Sequence, residues 1–415
     1  MRRVLMVAYY FPPLGGIGSV RALKFASYLP EFGWDVQVLA PRQGAYFRDP
    51  GLAFPESKVT RSFSLEISRT GKRITGTGGD DTRPARVGQE MGRVRALVRR
   101  WIYRPDPQVG WYPFAVAAGR RLLRERRFDA IFSSSFPITA HLVARRLARD
   151  FGLPWVAEFR DPWTELTAYD SPFRRRLDQA MEGSLLGSAR EIVTVSPRWR
   201  ELYLARGAKR VSVVSNGFDP GDYPQLEPPS RLTVTYLGTF YPDRQDLATA
   251  LRALGALRRR GALADLTLRF VGRVPESLHR VLSEEALTAV VEGTGFVTHG
   301  EALAHLVSSS LLVLAGPALS RPDDPLGGQI PAKVFEYLGA RRPILLIGDP
   351  ETDVARLLRD LPGTAVVEPG AVAVAEQAIL ALLAGPVPVD RGDLTPWTRR
   401  FLAGQLAEAL ERALR

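Results

Sequence analysis

The chain has 415 residues, 45% of them hydrophobic and 24% charged, and it contains no cysteine. This length predicts two domains, and the lack of cysteine excludes disulfide bridges, thiolate metal sites and a cysteine nucleophile. The formal net charge of +12 indicates nucleic acid, anionic lipid or polyphosphate as partners, or else reflects a genome biased toward arginine. We expect a cytoplasmic protein, because a reducing compartment suits a chain without cysteine.

The beginning of the chain combines two arginines with a short apolar run, residues 4–11, that ends at two prolines. The run lacks a small-residue cleavage site, so it predicts a buried strand rather than a signal peptide. No later segment approaches the roughly 18 uninterrupted apolar residues that a membrane span requires. The sequence therefore predicts a protein that is not integral to the bilayer.

Short β-branched runs alternate with amphipathic helical patterns along the chain. This alternation predicts an α/β architecture of two tandem units, each with a parallel sheet and crossover helices. The strands predicted in the first half are 4–8, 36–40, 130–134, 155–159 and 191–195. Those predicted in the second half are 211–214, 233–237, 266–271, 311–314, 344–347 and 365–367. We place an N-terminal domain at 1–206, a C-terminal domain at 207–394 and a last helical segment at 395–415 that packs on either domain.

The N-terminal domain contains a stretch without sustained periodicity. Residues 43–90 are rich in glycine, serine and threonine and predict a long mobile insertion. The stretch from Met91 to Tyr103 then has apolar residues at helical spacing and arginines on the other faces. Such a helix suits contact with an anionic membrane, which would place the protein at the inner face of the membrane. The alternative is a surface helix packed on its own domain.

Glycines follow the first predicted strand at Gly15, Gly16 and Gly18, and a helical pattern begins directly after them. Glycine lets backbone amides approach a ligand closely, and a helix N-terminus favours an anion. A tight strand-to-helix turn would explain the same residues. The segment is not a dinucleotide-binding fingerprint, because Arg21 stands where a third glycine or alanine is required.

The predicted strand 155–159 ends abruptly in Arg160 and Asp161. Ligands bind beyond the carboxyl ends of strands in open α/β sheets, so both side chains are candidates for a binding site. Alternatively, they pair with each other or cap the next helix.

A third segment carries a lysine and a carboxylate on one helix face. Gly327 and Gly328 precede Pro331, which suits the first turn of a helix, and Lys333 and Glu336 are three residues apart. A diphosphate would be bound by the lysine and the helix amides, and a ribose by the carboxylate. The alternative is an ordinary surface ion pair.

The segment 331–337 resembles the donor-site motif of glycosyltransferase family 4, bacterial group 1 type, which reads proline-x-lysine-x-x-glutamate-tyrosine. Four earlier segments, in the family's order, are similar to its other motifs. They are Pro12-Pro13-Leu14-Gly15-Gly16, Phe159-Arg160-Asp161-Pro162-Trp163, Asn216-Gly217-Phe218-Asp219, and Leu237-Gly238-Thr239-Phe240-Tyr241 with Arg244. The chain is identified as a member of this family from residue 11 to about residue 345.

The resemblance implies a GT-B fold, in which two Rossmann-like domains face each other across a cleft and the C-terminal one holds most of a nucleotide sugar. It implies a retaining, metal-independent glycosyltransferase without a cofactor, whose acceptor is a hydroxyl of a lipid-linked, polysaccharide or small-molecule substrate. By the resemblance, Glu336 binds the ribose, Arg244 and Lys333 bind the diphosphate, and Arg160 and Asp161 orient the sugar or the acceptor. The implied catalytic residues are Asp161, Arg160, Lys333 and Arg244. The implied donor-binding residues are Gly15, Gly16, Gly238, Thr239, Arg244, Gly328, Gln329, Ile330, Lys333 and Glu336.

The residues themselves also favour metal independence. The sequence contains no Asp-x-Asp triplet, and its four histidines, His141, His279, His299 and His305, have no metal-site spacing. Charge on a departing diphosphate would then be stabilised by arginine, lysine and backbone amides. We expect His141, which lies in a helical stretch, to have a structural role.

Two positions depart from the family's pattern. Gly328 stands where many members have a glutamate, so contacts to the sugar must come from elsewhere, such as Gln329 or the amides of 327–330. Arg160 stands where many members have a histidine. Three other functions remain open: a sugar-nucleotide epimerase of the same fold, for which acid/base groups are scarce, an inactive partner subunit, and a nucleic-acid-binding module. We expect no nucleic-acid partner, because the arginines are dispersed and no such motif is present.

Overall fold

The computed structural model describes residues 1–42, 48–65, 104–169, 171–225 and 231–415. The chain forms two compact units. The first comprises Met1–Val195, Trp199–Val214 and Ala403–Arg415, and the second comprises Ser196–Arg198 and Ser215–Leu402. The first unit thus continues past the division that the sequence placed between residues 206 and 207. Much of the predicted insertion and the whole stretch from Met91 to Tyr103 lie outside the described residues.

The first unit is built on a seven-stranded parallel sheet. Its strands are β1 (Arg2–Val7), β2 (Trp34–Pro41), β3 (Val59–Ser62), β4 (Ala130–Ser134), β5 (Trp155–Glu158), β6 (Glu191–Thr194) and β7 (Val211–Val213). They lie in the order β3-β2-β1-β4-β5-β6-β7. The last four residues of β1 are fully buried, which is the pattern of a parallel strand covered on both faces.

Two strands of this sheet correct the predictions. β3 lies within residues 43–90, which the sequence assigned to an insertion, and it pairs with β2 from Val59 to Ser62. Half-exposed Thr60 and Arg61 interrupt its apolar pattern, and a strand of four residues gives little periodicity. β7 was assigned to the second half, but it pairs with β6. A strand's own pattern does not identify its neighbour, and a crossover helix places the next parallel strand beside the last one.

Helices cover the sheet of the first unit. They are α1 (Ile17–Tyr28), α2 (Tyr112–Glu125), α3 (Thr139–Phe151), α4 (Trp163–Leu166), α5 (Pro172–Ser188) and α6 (Pro197–Ala205). The core contains Ile131 and Trp155 from the strands and Val143, Leu147 and Leu185 from the helices. The spacing of Val143 and Leu147 is that of one buried helix face.

The second unit has a six-stranded parallel sheet. Its strands are β8 (Thr233–Leu237), β9 (Thr267–Val271), β10 (Val291–Gly293), β11 (Leu311–Ala315), β12 (Ile344–Ile347) and β13 (Thr364–Val367). They lie in the order β10-β9-β8-β11-β12-β13. Five of these strands agree with the predicted ones within two residues. The prediction lacked β10, a three-residue edge strand whose side chains are mostly exposed.

The helices of the second unit are α7 (Ala248–Arg259), α8 (His279–Glu284), α9 (His299–Val307), α10 (Lys333–Gly339), α11 (Asp353–Arg359) and α12 (Val372–Ala384). Two hydrophobic clusters form its core. One of them joins Leu303 and Leu306 of α9 to Val334 and Leu338 of α10. Helices α9 and α10 therefore contribute to a common core.

The chain ends in helix α13 (Arg399–Leu414). Its residues from Ala403 onward belong to the first unit, where Arg412 Nη2 lies 2.8 Å from Oε1 of buried Glu191. Leu406 and Leu410 of this helix are fully buried. The sequence had left the domain of this helix open.

Both sheets reverse their strand order at the first strand. β1 lies between β2 and β4 in the first unit, and β8 lies between β9 and β11 in the second. Ligands of open α/β sheets bind outside the carboxyl ends of the strands at such switch points. The segments that follow β1 and β4, and those that follow β8 and β11, are therefore the places to examine for a site.

Candidate functional site

The end of β8 forms the first wall of the site in the second unit. Gly238 follows the strand with a φ of 89°, a left-handed conformation that favours glycine. The Gly238 amide donates to the carbonyl of Val271 at 2.9 Å, and the Leu237 amide donates to Tyr337 Oη at 2.9 Å. Tyr337 belongs to α10, so the end of β8 and the helix with the lysine and the carboxylate are fixed to each other.

Lys333 is the first residue of α10, and its ammonium group rests on the end of β8. Nζ donates to Leu237 O at 2.9 Å and to Tyr236 Oη at 3.0 Å, and it lies 4.1 Å from the centroid of the Tyr236 ring. Burial lowers the pKa of Lys333 to about 7, and Glu336 opposes this shift. Neutral groups thus hold the amine at the switch point, where it can pair with an anion.

Glu336 lies one turn into α10 and is 6% exposed. Burial raises the pKa of its carboxyl group, and the basic side chains of His299, Arg399 and Lys333 oppose the rise. Its backbone carbonyl accepts a hydrogen bond from Tyr223 Oη at 2.9 Å. Within the described part of the chain, the carboxylate oxygens accept no hydrogen bond. Because buried polar groups are normally paired, this carboxylate is a candidate ligand-binding group.

His299 is a neighbour of Glu336 that the sequence did not assign to the site. Its Nδ1 lies 3.7 Å from Glu336 Oε1, and its side chain is 24% exposed. The residue begins α9, directly after Thr298, which caps the helix together with Glu301. The Thr-x-x-Glu spacing of a capping box is visible in the sequence and could have located this histidine at a helix start.

The loop after Gly238 holds the remaining predicted phosphate-binding residues. Thr239 and Arg244 are exposed, and the structure records no partner for the Arg244 guanidinium among the described residues. Gln245 fixes the loop, since its Oε1 accepts from the amide of Tyr241 at 3.0 Å and its Nε2 donates to Ala315 O at 3.0 Å. Ala315 ends β11, so this loop lies across the switch point.

The glycine segment before α10 is a turn from Pro325 to Gly328 that Asp324 caps. The amide of Gly327 donates to Asp324 O at 2.9 Å, and that of Gln329 donates to Leu326 O at 2.9 Å. These two amides are therefore already used inside the loop.

The residues around this glycine turn differ in exposure and packing. Gly328 and Ile330 are buried, whereas Gln329 is half-buried. A Cβ at Gly327 would overlap the Arg198 guanidinium. Helix α10 begins at Lys333 rather than at Pro331 and has seven residues.

In the first unit, the glycine loop leads directly into α1. Gly16 has a φ of 82°, and its carbonyl accepts from the amides of Ser19 and Val20 at 3.0 and 3.2 Å. Gly15 is buried. A positive φ at the residue before a helix explains the glycine at position 16 by local geometry.

Arg160 and Asp161 follow β5 at the carboxyl edge of the same sheet. The Arg160 Nε donates to Ser135 O, and a Cβ at Gly18 would lie 2.9 Å from Arg160 Nη1. Burial lowers the pKa of Arg160, whereas Glu158 and Asp161 raise it. Burial also raises the pKa of the Asp161 carboxyl, and Arg160 opposes this rise. The structure thus brings Arg160 against the start of α1.

A buried ion pair next to these residues was not predicted. Arg21 Nη2 lies 2.8 Å from Glu158 Oε1, and Ser134 Oγ donates to Glu158 Oε2 at 2.5 Å. Arg21 also donates to Val214 O at 2.7 Å. The sequence offered one signal for this pair, a charged residue inside each of two elements that were predicted to be buried. It did not indicate that the two residues are in contact, because they lie 137 positions apart.

His141 is a core residue. Its Nδ1 lies 2.8 Å from Ser133 Oγ, and its ring packs 4.3 Å from that of Phe159. Burial lowers its pKa to about 3, so the ring is neutral. The expected structural role agrees with this environment. Among the described residues, no three His, Cys, Asp or Glu side chains lie together as a metal site would require, and no helix is long and apolar enough to cross a membrane.

Comparison with known proteins gives a family match over part of the chain and a fold for nearly all of it. Residues 15–217 match the model of the glycosyl transferase 4-like domain.

Solved structures similar over nearly the whole chain include sucrose-phosphate synthase from Thermosynechococcus elongatus, with 15% identity, a TM-score of 0.59 and coverage of 100% of this chain and 97% of that one. HepE from Anabaena in complex with UDP and glucose has 15% identity, a TM-score of 0.59 and coverage of 99% and 100%. The lipopolysaccharide outer core galactosyltransferase WaaB has 12% identity, a TM-score of 0.55 and coverage of 98% and 99%. No curated protein sequence matches this chain significantly.

Proposed function

We propose that this chain, a glycosyltransferase of the GT-B type whose residues 15–217 match the glycosyl transferase 4-like domain, transfers a sugar from a nucleotide-sugar donor to a hydroxyl group. The transfer retains the anomeric configuration and uses no metal ion. The acceptor is a lipid-linked, polysaccharide or small-molecule hydroxyl. The diphosphate of the donor is the anion that Lys333 binds.

The observation that carries this proposal is the pair of charged groups on α10. Glu336 offers a buried carboxylate without a hydrogen-bond donor in the described residues, and Lys333 is held beside it at the switch point. A ribose supplies hydroxyl donors for the carboxylate, and a diphosphate supplies negative charge for the ammonium group of Lys333. The UDP complex of the structurally similar HepE supports a nucleoside diphosphate as the occupant.

The chemistry assigned to these residues is electrostatic. As the bond between the anomeric carbon and the diphosphate breaks, negative charge grows on the diphosphate oxygens. Lys333 and exposed Arg244 stabilise that charge, as oxyanion-hole donors do in other enzymes. A donor phosphate oxygen takes the proton of the attacking acceptor hydroxyl, so attack occurs on the face that the diphosphate leaves.

The remaining predicted residues have supporting roles in the proposal. Gln329, half-buried beside the glycine turn, contacts the sugar hydroxyls in place of the glutamate that other members carry. In the first unit, Arg160 and Asp161 orient the sugar or the acceptor, and the Gly15-Gly16 loop binds a phosphate or a sugar.

A panel of UDP-, GDP-, dTDP- and ADP-sugars tests the proposal. The wild-type enzyme is incubated with each donor in EDTA, and thermal stabilisation and nucleoside diphosphate release are measured. We expect one donor to stabilise the protein and to be hydrolysed slowly, and Glu336→Gln to abolish the stabilisation. Release that requires added Mg²⁺ would contradict metal independence, and absence of both signals for every donor would contradict donor binding.

Contact with the inner face of an anionic membrane is proposed for the stretch from Met91 to Tyr103. The basis for it is the sequence pattern, in which apolar residues recur at helical spacing and arginines lie between them. Co-sedimentation with vesicles of phosphatidylglycerol and phosphatidylcholine at low salt tests this contact. Deletion of residues 91–103 should abolish co-sedimentation, and unchanged binding of the deletion variant would contradict the proposal.

A further inference from the structure

The nearest basic group that the structure records beside the Glu336 carboxylate is the ring of His299. Nδ1 of His299 lies 3.7 Å from Glu336 Oε1, about 1 Å beyond a charge-assisted hydrogen bond. The ring is only partly exposed and the carboxylate is buried. A small rotation of either side chain would close the gap.

The fold fixes the position of this pair. The amide of Thr298 donates to Glu301 Oε2 at 2.7 Å, and the Glu301 amide donates to Thr298 Oγ1 at 3.3 Å, so α9 begins at His299. Leu303 and Leu306 follow at the i+4 and i+7 positions of the same helix face. Both belong to the hydrophobic cluster that contains the buried side chains of α10. The ring of His299 therefore stands at the start of a helix whose apolar face shares a core with α10.

We propose that His299 is a positioning residue for Glu336, and through it for the ribose hydroxyls of the donor. The proposal rests on the proposed function, since it assumes that Glu336 binds a ribose. In it, a ring N–H of His299 holds Oε1, which leaves Oε2 free to accept from a hydroxyl. A carboxylate fixed at one oxygen has fewer orientations to lose when the ribose binds.

Other charged groups around the pair do not replace this contact. Lys333 directs its ammonium group to Leu237 O and Tyr236 Oη. Asp222, which acts on Glu336 from the segment before β8, is an anion and opposes ionisation of the carboxyl. Arg399 favours ionisation but less strongly than His299 does. Within α9, the carboxylate of Glu301 is bound to Thr298.

Binding of ribose and dideoxyribose nucleotides separates a positioning role from a packing role. Calorimetry of the full chain with UDP, GDP and ADP identifies the nucleotide that binds best, and its 2′,3′-dideoxy counterpart serves as the probe without ribose hydroxyls. We expect His299→Ala to weaken binding of the ribonucleotide about tenfold and that of the dideoxynucleotide by less than about twofold. His299→Gln, which retains an N–H donor, should recover most of the loss.

His305→Ala is the matched control, because it removes a histidine from the same helix. It should bind both nucleotides as the wild type does, and thermal unfolding should show that all three variants are folded. The double variant His299→Ala/Glu336→Gln should be no weaker than Glu336→Gln alone, because the two residues act on one contact.

Three outcomes are decisive. Equal weakening of both nucleotides by His299→Ala would overturn the positioning role, as would no weakening of either. In either case the wild type would still prefer the ribonucleotide, and the proposed function would stand. A wild type that binds none of the three nucleotides would overturn the proposed function and this inference with it.

Discussion

The two units each bury a glutamate near the carboxyl edge of a parallel sheet, but the two carboxylates differ in their hydrogen bonding. Glu158 of the first unit is fully buried, and its two oxygens accept from Arg21 and Ser134. Glu336 of the second unit is almost as buried, yet in the described residues its oxygens accept no hydrogen bond, and the ring of His299 stays 3.7 Å away.

This difference separates a scaffold carboxylate from a binding carboxylate. A buried charge that is fully paired stabilises one arrangement of the chain and has nothing left to offer a ligand. A buried carboxylate without donors carries a desolvation cost that a ligand can remove. The comparison therefore favours an architectural role for Glu158 in the first unit and supports the proposed recognition role of Glu336 in the second.

The largest expected effect is on the stability of the first unit. Glu158→Ala leaves Arg21 buried without its partner, which should lower the free energy of unfolding by about 3–5 kcal/mol. Urea unfolding followed by circular dichroism measures the loss. Glu336→Ala is the comparison variant and should change stability by less than about 1 kcal/mol, because it removes no hydrogen-bonded pair. Equal losses for the two variants would contradict the distinction.

The second prediction concerns nucleoside diphosphate binding, in which Glu336 rather than Glu158 should be important. Glu336→Ala should weaken nucleoside diphosphate binding by about 2 kcal/mol, the value of a hydrogen bond to a charged group. Calorimetric titration measures the affinity, and Glu284→Ala, which removes an exposed carboxylate from α8, is the control. An unchanged affinity of the Glu336 variant would show that the ribose is bound elsewhere.

The third prediction concerns the pH dependence of the same site. The pKa of Lys333 is about 7 in the free protein, and a bound diphosphate favours the charged amine, so the pKa in the complex is higher. Binding above pH 7 must then take up a proton, and the affinity should fall by up to about tenfold per pH unit between pH 7 and 9. Titrations in that range measure the slope. Lys333→Arg, which stays charged, should bind with little pH dependence, and equal slopes would contradict the role of the lysine.

The smallest expected effect tests how tightly the charged residues of the first unit are packed. Gly18→Ala places a Cβ 2.9 Å from Arg160 Nη1 and should destabilise the fold by about 1 kcal/mol. Gly183→Ala in α5 meets no atom within 4 Å and should stabilise it by about 0.5–1 kcal/mol, because alanine favours a helix. Thermal unfolding of both variants measures the difference, and opposite signs are expected.

Much of the fold was predictable because most strands have a recognisable local sequence pattern. Buried parallel strands are apolar over most of their length, so ten of the thirteen strands in the described residues agree with predicted runs and belong to the expected half of the chain. The two strands that were missed, β3 and β10, are edge strands of four and three residues, and neither is apolar over its whole length. The α/β class, predicted from the alternation of strand and helix patterns, and the GT-B fold, expected from the family resemblance, are confirmed by the sheets and by the similar structures.

By itself, the sequence determined the spacing of Lys333 and Glu336 and their position on one helix face, because three residues along a helix form a local relation. Only the tertiary structure decided which carboxylate is saturated and which is not. Arg21 meets Glu158 across 137 residues, and His299 meets Glu336 across two helices that share a core. Neither contact is present in a local pattern, because side chains far apart in sequence are brought together only by the order of the strands and the packing between them.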